Sequence, residues 1–146
     1  MTGYSGTPLL TKLGIKPGMK LKLVLQPGNY FDLLFPASGE RKGTMDLLSK
    51  KGETPDLVHL FVKNNREFER EMKKLAPVVK KNPNITIWVS WYKRSAKIPT
   101  DITEDVIRDY ALKHGLVDVK VCAVSDIWSG LKLVVPLAKR AMIKGF

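Results

Sequence analysis

The stretch DLVHLFVKNNREFEREMKKLAPVVKKNPNITIWVSW, residues 56–91, decides the fold. Residues 57–62 are apolar almost throughout, which is typical of a strand covered on both faces. A helix is predicted next, because apolar residues recur at helical spacing after a capping box formed by Asn64 and Glu67. Residues 85–91 then predict another strand. A strand, a helix and a strand in this order predict neighbouring parallel strands joined by a crossover helix.

Two further strands are predicted downstream, at 116–124 and 130–136. Only residues 125–129, SDIWS, separate these strands. Such a link is too short for a parallel crossover, so the last strand should be antiparallel to its neighbour. The remaining residues, 136–146, predict a basic C-terminal tail or a short helix.

Upstream, leucine alternates with lysine in KLKLVLQ, residues 20–26, which predicts a strand near a sheet edge. Glycine and proline break residues 27–55 into pieces, so we expect partly irregular structure there. The complete pattern predicts a single α/β domain over 1–146. Its expected architecture is a three-layer α/β arrangement, with a mixed sheet of about five strands between helices and the last strand antiparallel.

The composition favours an acidic partner. The chain holds 25 Lys and Arg against 14 Asp and Glu, which gives a formal net charge of +11. Nucleic acid, a phosphorylated ligand or an acidic protein surface would each suit this charge. The cations are spread along the chain without a run of five or six, which is less typical of nucleic-acid binding. A lysine-rich surface that only keeps the protein soluble is the alternative.

Other classes are excluded or left without support. No window approaches the about 18 consecutive apolar residues of a membrane span, and the start shows no secretory signal pattern. The single cysteine, Cys122, has no disulfide partner in the chain and no metal-site spacing. We therefore expect a cytoplasmic protein with no membrane segment, and we predict no metal, no cofactor and no catalytic residue.

A loop of cations follows the third predicted strand. Lys93, Arg94, Lys97 and Thr100 lie after the carboxyl end of that strand, which is the rim where open α/β sheets bind ligands. With the start of the next helix, they predict a weak anion-binding site. The alternative is a solvated loop that joins strand to helix.

A second capping box is expected at the start of that helix, between Asp101 and Glu104. It would occupy the backbone donors at the helix start, and its carboxylates would repel an anion. This expectation is what makes the predicted anion site weak.

Two stretches, YSGTP and WSGLK, share an aromatic-Ser-Gly pattern at opposite ends of the chain. One interpretation joins them in a small polar pocket, and the other treats them as two turns that need glycine, with aromatic rings packed beneath. His59, inside an apolar strand, is interpreted as a hydrogen-bonded core histidine. The residues of the candidate pocket are Tyr4, Ser5, Gly6, Thr7, Trp128, Ser129 and Gly130.

Several stretches carry a resemblance. YSGTPLLTKLGIKPG, DLVHLFV, WVSW with the following PTD and TED, and WSGLKLV together resemble an uncharacterised bacterial domain-of-unknown-function family over nearly the whole chain. The ending also resembles the second half of the class I methyltransferase fold, where a helix, a strand and a terminal antiparallel strand close the sheet. The resemblance implies a small Rossmann-like domain without an established activity.

A methyl-donor site is not supported by the first strand and its turn. Such a site needs a glycine-rich turn, so that the backbone can approach the cofactor closely. QPGNY, residues 26–30, offers one glycine, and no acidic residue ends the strand.

The sequence thus predicts a binding or interaction module without enzymatic activity, for an anionic small molecule or an acidic protein. A divergent S-adenosylmethionine-dependent methyltransferase is one alternative, and a strand with a carboxylate inside residues 28–55 would favour it. A nucleic-acid-binding protein is the other. It predicts that the scattered cations converge on one face and that affinity falls steeply with salt.

Overall fold

The structure is a computed structural model that describes residues 8–34, 48–50 and 52–140. Four helices and five strands lie in these residues. The helices are α1 (Leu9–Leu13), α2 (Tyr30–Leu34), α3 (Asn65–Lys81) and α4 (Glu104–Lys113). The strands are β1 (Leu21–Val24), β2 (Leu57–Phe61), β3 (Thr86–Tyr92), β4 (Val117–Ala123) and β5 (Trp128–Val134).

The five strands form one open mixed sheet in the order β1-β2-β3-β5-β4. β1, β2 and β3 are parallel, and β5 runs antiparallel to both β3 and β4. The predicted α/β mixed sheet of five strands with the last strand antiparallel is therefore confirmed. Beyond β1, within the described residues, the sheet continues only as an isolated parallel bridge between Leu21 and Leu48.

Helix α3 begins at the predicted N-cap, Asn64, but the reciprocal hydrogen bond of the capping box is shifted by one residue. Asn64 Oδ1 accepts the N–H of Glu67 at 2.8 Å, whereas the Glu67 carboxylate accepts the N–H of Lys63 at 2.9 Å. Apolar residues recur at the helical period and so form one side of the helix, and this side is buried against the sheet. Its fully or almost fully buried apolar residues are Phe68, Met72, Leu75 and Val79.

The capping box predicted at Asp101 is wrong. The N-cap of α4 is Thr103, whose Oγ1 accepts the N–H of Val106 at 3.3 Å. The Asp101 carboxylate instead accepts the N–H of Asn65 at 2.8 Å, at the start of α3. Asp101 therefore links the chain before α4 to the start of α3, and the next residue, Ile102, is buried in the core.

Alternation along the central strands sends neighbouring side chains to two core clusters. Val58 and Leu60 of β2 belong to a cluster that includes the apolar sides of α3 and α4. Leu57 and Phe61 belong to a second cluster that includes α1 and α2. Both faces of the central strands are therefore buried, which explains the continuous apolar run at 57–62.

The chain after β5 forms a short exposed turn that Arg140 holds to the residues around it. Leu137–Lys139 form a 3₁₀ turn, and Arg140 Nε donates to Val135 O at 2.9 Å. This turn stands where a tail or short helix is predicted, and 141–146 lie outside the described residues. None of the described helices is both long and apolar enough to cross a membrane.

Candidate functional site

An open cleft of about 660 Å³ lies at the carboxyl end of β3. The 3₁₀ turn Arg94–Ala96 and the chain leading to α4 form its walls. We call it the rim cleft. Its lining residues are Trp91, Tyr92, Lys93, Arg94, Ile98, Pro99, Thr100, Ile102, Thr103, Glu104, Asp105 and Ser129.

Two of the predicted cations line this cleft with their charges available. Lys93 is only 9% exposed, and its backbone N–H donates to Ile127 O at 2.9 Å, which ties it to the β4–β5 turn. Arg94 is exposed. Within residues 8–34, 48–50 and 52–140, neither the Lys93 ammonium nor the Arg94 guanidinium has a hydrogen bond or ion pair. Both cations therefore remain available to a ligand.

The other two predicted residues have different positions. Thr100 lines the cleft, but its hydroxyl donates to Lys63 O at 2.7 Å and accepts the N–H of Ile102 at 3.1 Å. Thr100 therefore fastens the loop to the chain before α3. Lys97 is exposed, has a φ of 56° at the end of the 3₁₀ turn, and is not among the lining residues. Whether the loop binds an anion stays a prediction.

The start of α4 adds donors and carboxylates to the cleft. Thr103 caps the N–H of Val106, and the N–H groups of Glu104 and Asp105 have no acceptor among the residues described. The carboxylates of Glu104 and Asp105 are bound by Arg108, the latter at 2.8 Å. Hydrogen bonds with Asp118 and Glu104 raise the pKa of Arg108 above its ordinary value. One guanidinium is thus shared by three carboxylates, so this wall keeps a net negative charge.

The second predicted pocket stays a prediction, and of its three described residues only Ser129 lines the rim cleft. The buried Trp128 stacks on Tyr92 with ring centroids 4.5 Å apart. Gly130 has a packing role, because a Cβ there would lie 3.1 Å from Val124 Cγ2 and 3.2 Å from Trp88 Cε3. The remaining members of the pocket, Tyr4, Ser5, Gly6 and Thr7, lie outside the described residues.

His59 forms a buried hydrogen-bonded trio with Tyr30 and Ser90. Its Nδ1 lies 2.9 Å from Tyr30 Oη, and its Nε2 lies 2.7 Å from Ser90 Oγ. Burial lowers the pKa of His59 to about 3 and raises the pKa of Tyr30. A serine beside a histidine is the geometry of an activated nucleophile, but both side chains are 0% exposed and no substrate reaches them. The interpretation of His59 as a hydrogen-bonded core histidine is confirmed.

Sequence reasoning missed a second cleft, of about 510 Å³, beside β1. We call it the edge cleft. Three lysines line it, Lys22, Lys50 and Lys81. Because they come from separate parts of the chain, no local sequence pattern predicts that they lie together. The other lining residues are Leu21, Leu23, Gln26, Leu48, Ser49, Gly52, Glu53, Thr54, Pro55 and Val78.

The residues described contain no group of three or more His, Cys, Asp or Glu side chains placed to hold a metal ion. No protein-family model matches the chain, and no curated protein is similar to it. The resemblance to a bacterial family therefore stays a prediction, and any functional inference rests on the geometry of the two clefts and the surface charge.

Proposed function

We propose that the chain is a binding module without enzymatic activity, and that it holds an anionic ligand in the rim cleft. A cleft of about 660 Å³ has the size of a small-molecule site. This favours a small phosphorylated molecule over an acidic protein surface. The observation that carries the proposal is Lys93, which is nine-tenths buried, lines the cleft and has no partner within the described chain.

The ligand would lie on the β3 and β5 side of the cleft. Lys93 and Arg94 supply charge there, and the hydroxyl of Ser129, without a hydrogen-bond partner among the described residues, supplies a neutral donor. Hydrogen bonds between cationic side chains and phosphate oxygens are short and strong. The carboxylates of Glu104 and Asp105 border the opposite side, which keeps the anion near the strands.

The finer architecture is part of the proposal. Packing of α3 and α4 in one core cluster and of α1 and α2 in the other supports a three-layer, Rossmann-like arrangement. The antiparallel β5, inserted between β3 and β4, supports a likeness to the second half of the class I methyltransferase fold. We propose no methyl-donor site. Ligand crevices in such sheets form where strand order reverses, and in the described chain β1 is the edge strand, with only the Leu48 bridge beyond it.

Calorimetric titration tests the proposal. Inorganic pyrophosphate, a sugar phosphate, adenosine diphosphate and S-adenosylmethionine are each titrated into the protein and into the double variant Lys93→Met/Arg94→Gln. Methionine keeps the buried apolar stem of Lys93. A charge-assisted hydrogen bond contributes about 1.5–3 kcal/mol, so phosphate affinity should fall at least about tenfold in the variant.

Lys97→Gln is the matched control, because it removes one cation from the same loop but outside the cleft. Its affinity should stay within about twofold of the unmodified protein. Equal losses of affinity in Lys97→Gln and in the double variant would mean that binding depends on overall charge and not on the rim cleft. Binding of S-adenosylmethionine that does not depend on Lys93 and Arg94 would instead support the methyltransferase alternative.

A further inference from the structure

Helix α3 carries six cations on one side. At about 100° per residue they fall within an arc of about 120°, and the helical rise of about 1.5 Å per residue spreads them over about 22 Å. All six are exposed. We call this set the basic stripe: Arg66, Arg70, Lys73, Lys74, Lys80 and Lys81.

Glu71 neutralises the middle of the stripe only in part. Its carboxylate is 8% exposed, and it accepts from Arg70 Nε at 2.9 Å and from Lys74 Nζ at 3.4 Å. Arg70 also lies 4.0 Å from Glu67. One buried carboxylate thus holds two cations in place without projecting in front of them.

The other two carboxylates of α3, Glu67 and Glu69, each accept a hydrogen bond from a residue outside the stripe. Glu67 accepts the backbone N–H of Lys63, and Glu69 accepts from the side-chain amide of Asn65 at 3.0 Å. Four cations of the stripe consequently have no hydrogen bond or ion pair within the described chain: Arg66, Lys73, Lys80 and Lys81.

The helix dipole does not explain this arrangement. Cations in the last turn, such as Lys80 and Lys81, are favoured by the dipole, whereas Arg66 in the first turn is disfavoured. The positive surface also continues past the helix, because Lys81 lines the edge cleft with Lys22 and Lys50. Lys22 and Lys50 thus adjoin the six cations of α3 although they are distant from that helix in the sequence.

We propose that the basic stripe binds the phosphate backbone of double-stranded nucleic acid without recognising its base sequence. Proteins that bind single-stranded nucleic acid combine a basic groove with exposed aromatic rings on which bases stack. The large apolar residues that are exposed in the described chain include no aromatic one. A lipid surface fits less well, because the apolar side of α3 is buried under the sheet and cannot enter a bilayer. This proposal is independent of the rim cleft.

Fluorescence anisotropy with a labelled DNA duplex of about 20 base pairs tests the proposal, since the stripe covers about six base pairs at 3.4 Å each. Four available cations predict that the logarithm of the affinity falls with the logarithm of the salt concentration at a slope near −3.6. Affinity should therefore drop about 100-fold between 50 and 200 mM salt.

Two fourfold variants of equal charge locate the contact. The stripe variant is Arg66→Gln/Lys73→Gln/Lys80→Gln/Lys81→Gln. Its control removes four exposed lysines elsewhere, as Lys97→Gln/Lys113→Gln/Lys120→Gln/Lys139→Gln. Both lower the net charge from +11 by four, to +7. The stripe variant should bind at least about tenfold more weakly with a flattened salt slope, and the control should stay within about threefold.

Lysine acetylation of the unmodified protein, with and without the duplex, gives a measurement that does not depend on a variant folding. Lys73, Lys80 and Lys81 should be protected, and Lys113 and Lys120 should not. Equal weakening in both fourfold variants would overturn the proposal. So would binding of the single strand as tightly as the duplex, or binding of phosphatidylserine vesicles without binding of the duplex.

Discussion

The two faces of the sheet are packed by different chemistry. The cluster that includes α3 and α4 is mostly aliphatic. The opposite cluster, with α1 and α2, is rich in aromatic rings and surrounds the buried polar trio of His59, Tyr30 and Ser90. On that face the indole N–H of Trp88 also donates to Leu13 O at 2.9 Å. The first face is therefore held by packed volume, and the second also by completed hydrogen bonds.

The largest expected effect lies on the aliphatic face. Phe68 is fully buried and meets Tyr110 edge-on, with centroids 5.1 Å apart. Phe68→Ala should lower the free energy of unfolding by about 3–5 kcal/mol, because it leaves a cavity, whereas Phe68→Leu should cost less than about 1.5 kcal/mol. Urea unfolding measures both. Similar losses of unfolding free energy for the two variants would contradict the proposed dependence of this face on packed side-chain volume.

The next largest effect is expected from the buried polar trio on the opposite face. His59→Leu leaves the hydroxyls of Tyr30 and Ser90 buried without their partner, which should cost about 2–4 kcal/mol. The triple variant His59→Leu/Tyr30→Phe/Ser90→Ala removes all three polar groups and should recover part of that loss. A triple variant less stable than the single one would mean that the hydrogen bonds are not what this face depends on.

The pH dependence separates the two faces further. The pKa of His59 is about 3 in the folded chain against an ordinary 6.5, so below pH 6.5 only the unfolded chain takes up this proton. Stability from this group is complete above pH 6.5 and falls by about 1.4 kcal/mol per pH unit as the pH drops toward 3. Between pH 6.5 and pH 5 the loss should be about 1.6 kcal/mol. The triple variant lacks His59 and should not show this loss of stability. An equal loss in both proteins would mean that it does not come from His59.

The smallest effect is expected to have the opposite sign. Tyr110 of α4, which packs on Phe68 of α3, has the one fully buried side-chain oxygen or nitrogen without a hydrogen-bond partner in the described residues. Its burial and the nearby Glu69 raise the pKa of Tyr110. Tyr110→Phe should therefore leave stability unchanged or raise it by up to about 1 kcal/mol, read as an increase in the midpoint of thermal unfolding. A loss above about 1 kcal/mol would reveal a partner for that hydroxyl.

The sheet was predictable because its signals are local. A continuous apolar run marks a strand buried on both faces, and a five-residue link forces two strands to be antiparallel. The cap of α3 was predictable for the same reason, since Asn64 and Glu67 are three residues apart. Each of these patterns is written in fewer than ten consecutive residues.

The missed features depend on residues that are distant in sequence. Asp101 caps the start of α3 across 36 residues, and the partners of His59 are 29 and 31 residues away. Side-chain spacing cannot show such contacts, because they exist only once the sheet is formed. For the rim loop, the sequence predicted that the cations follow the carboxyl end of the third strand. The left-handed backbone at Lys97, which ends the 3₁₀ turn, had no local signal.

The positions of the three tryptophans make the two proposed surfaces optically distinct. Trp91 lines the rim cleft, and Trp128 stacks on Tyr92, which also lines it. Trp88 is fully buried on the opposite sheet face from Trp91, and the basic stripe of α3 contains no tryptophan. Intrinsic emission should therefore change when a ligand enters the rim cleft and stay unchanged when a duplex binds the basic stripe of α3. An unlabelled sample can tell the two binding events apart.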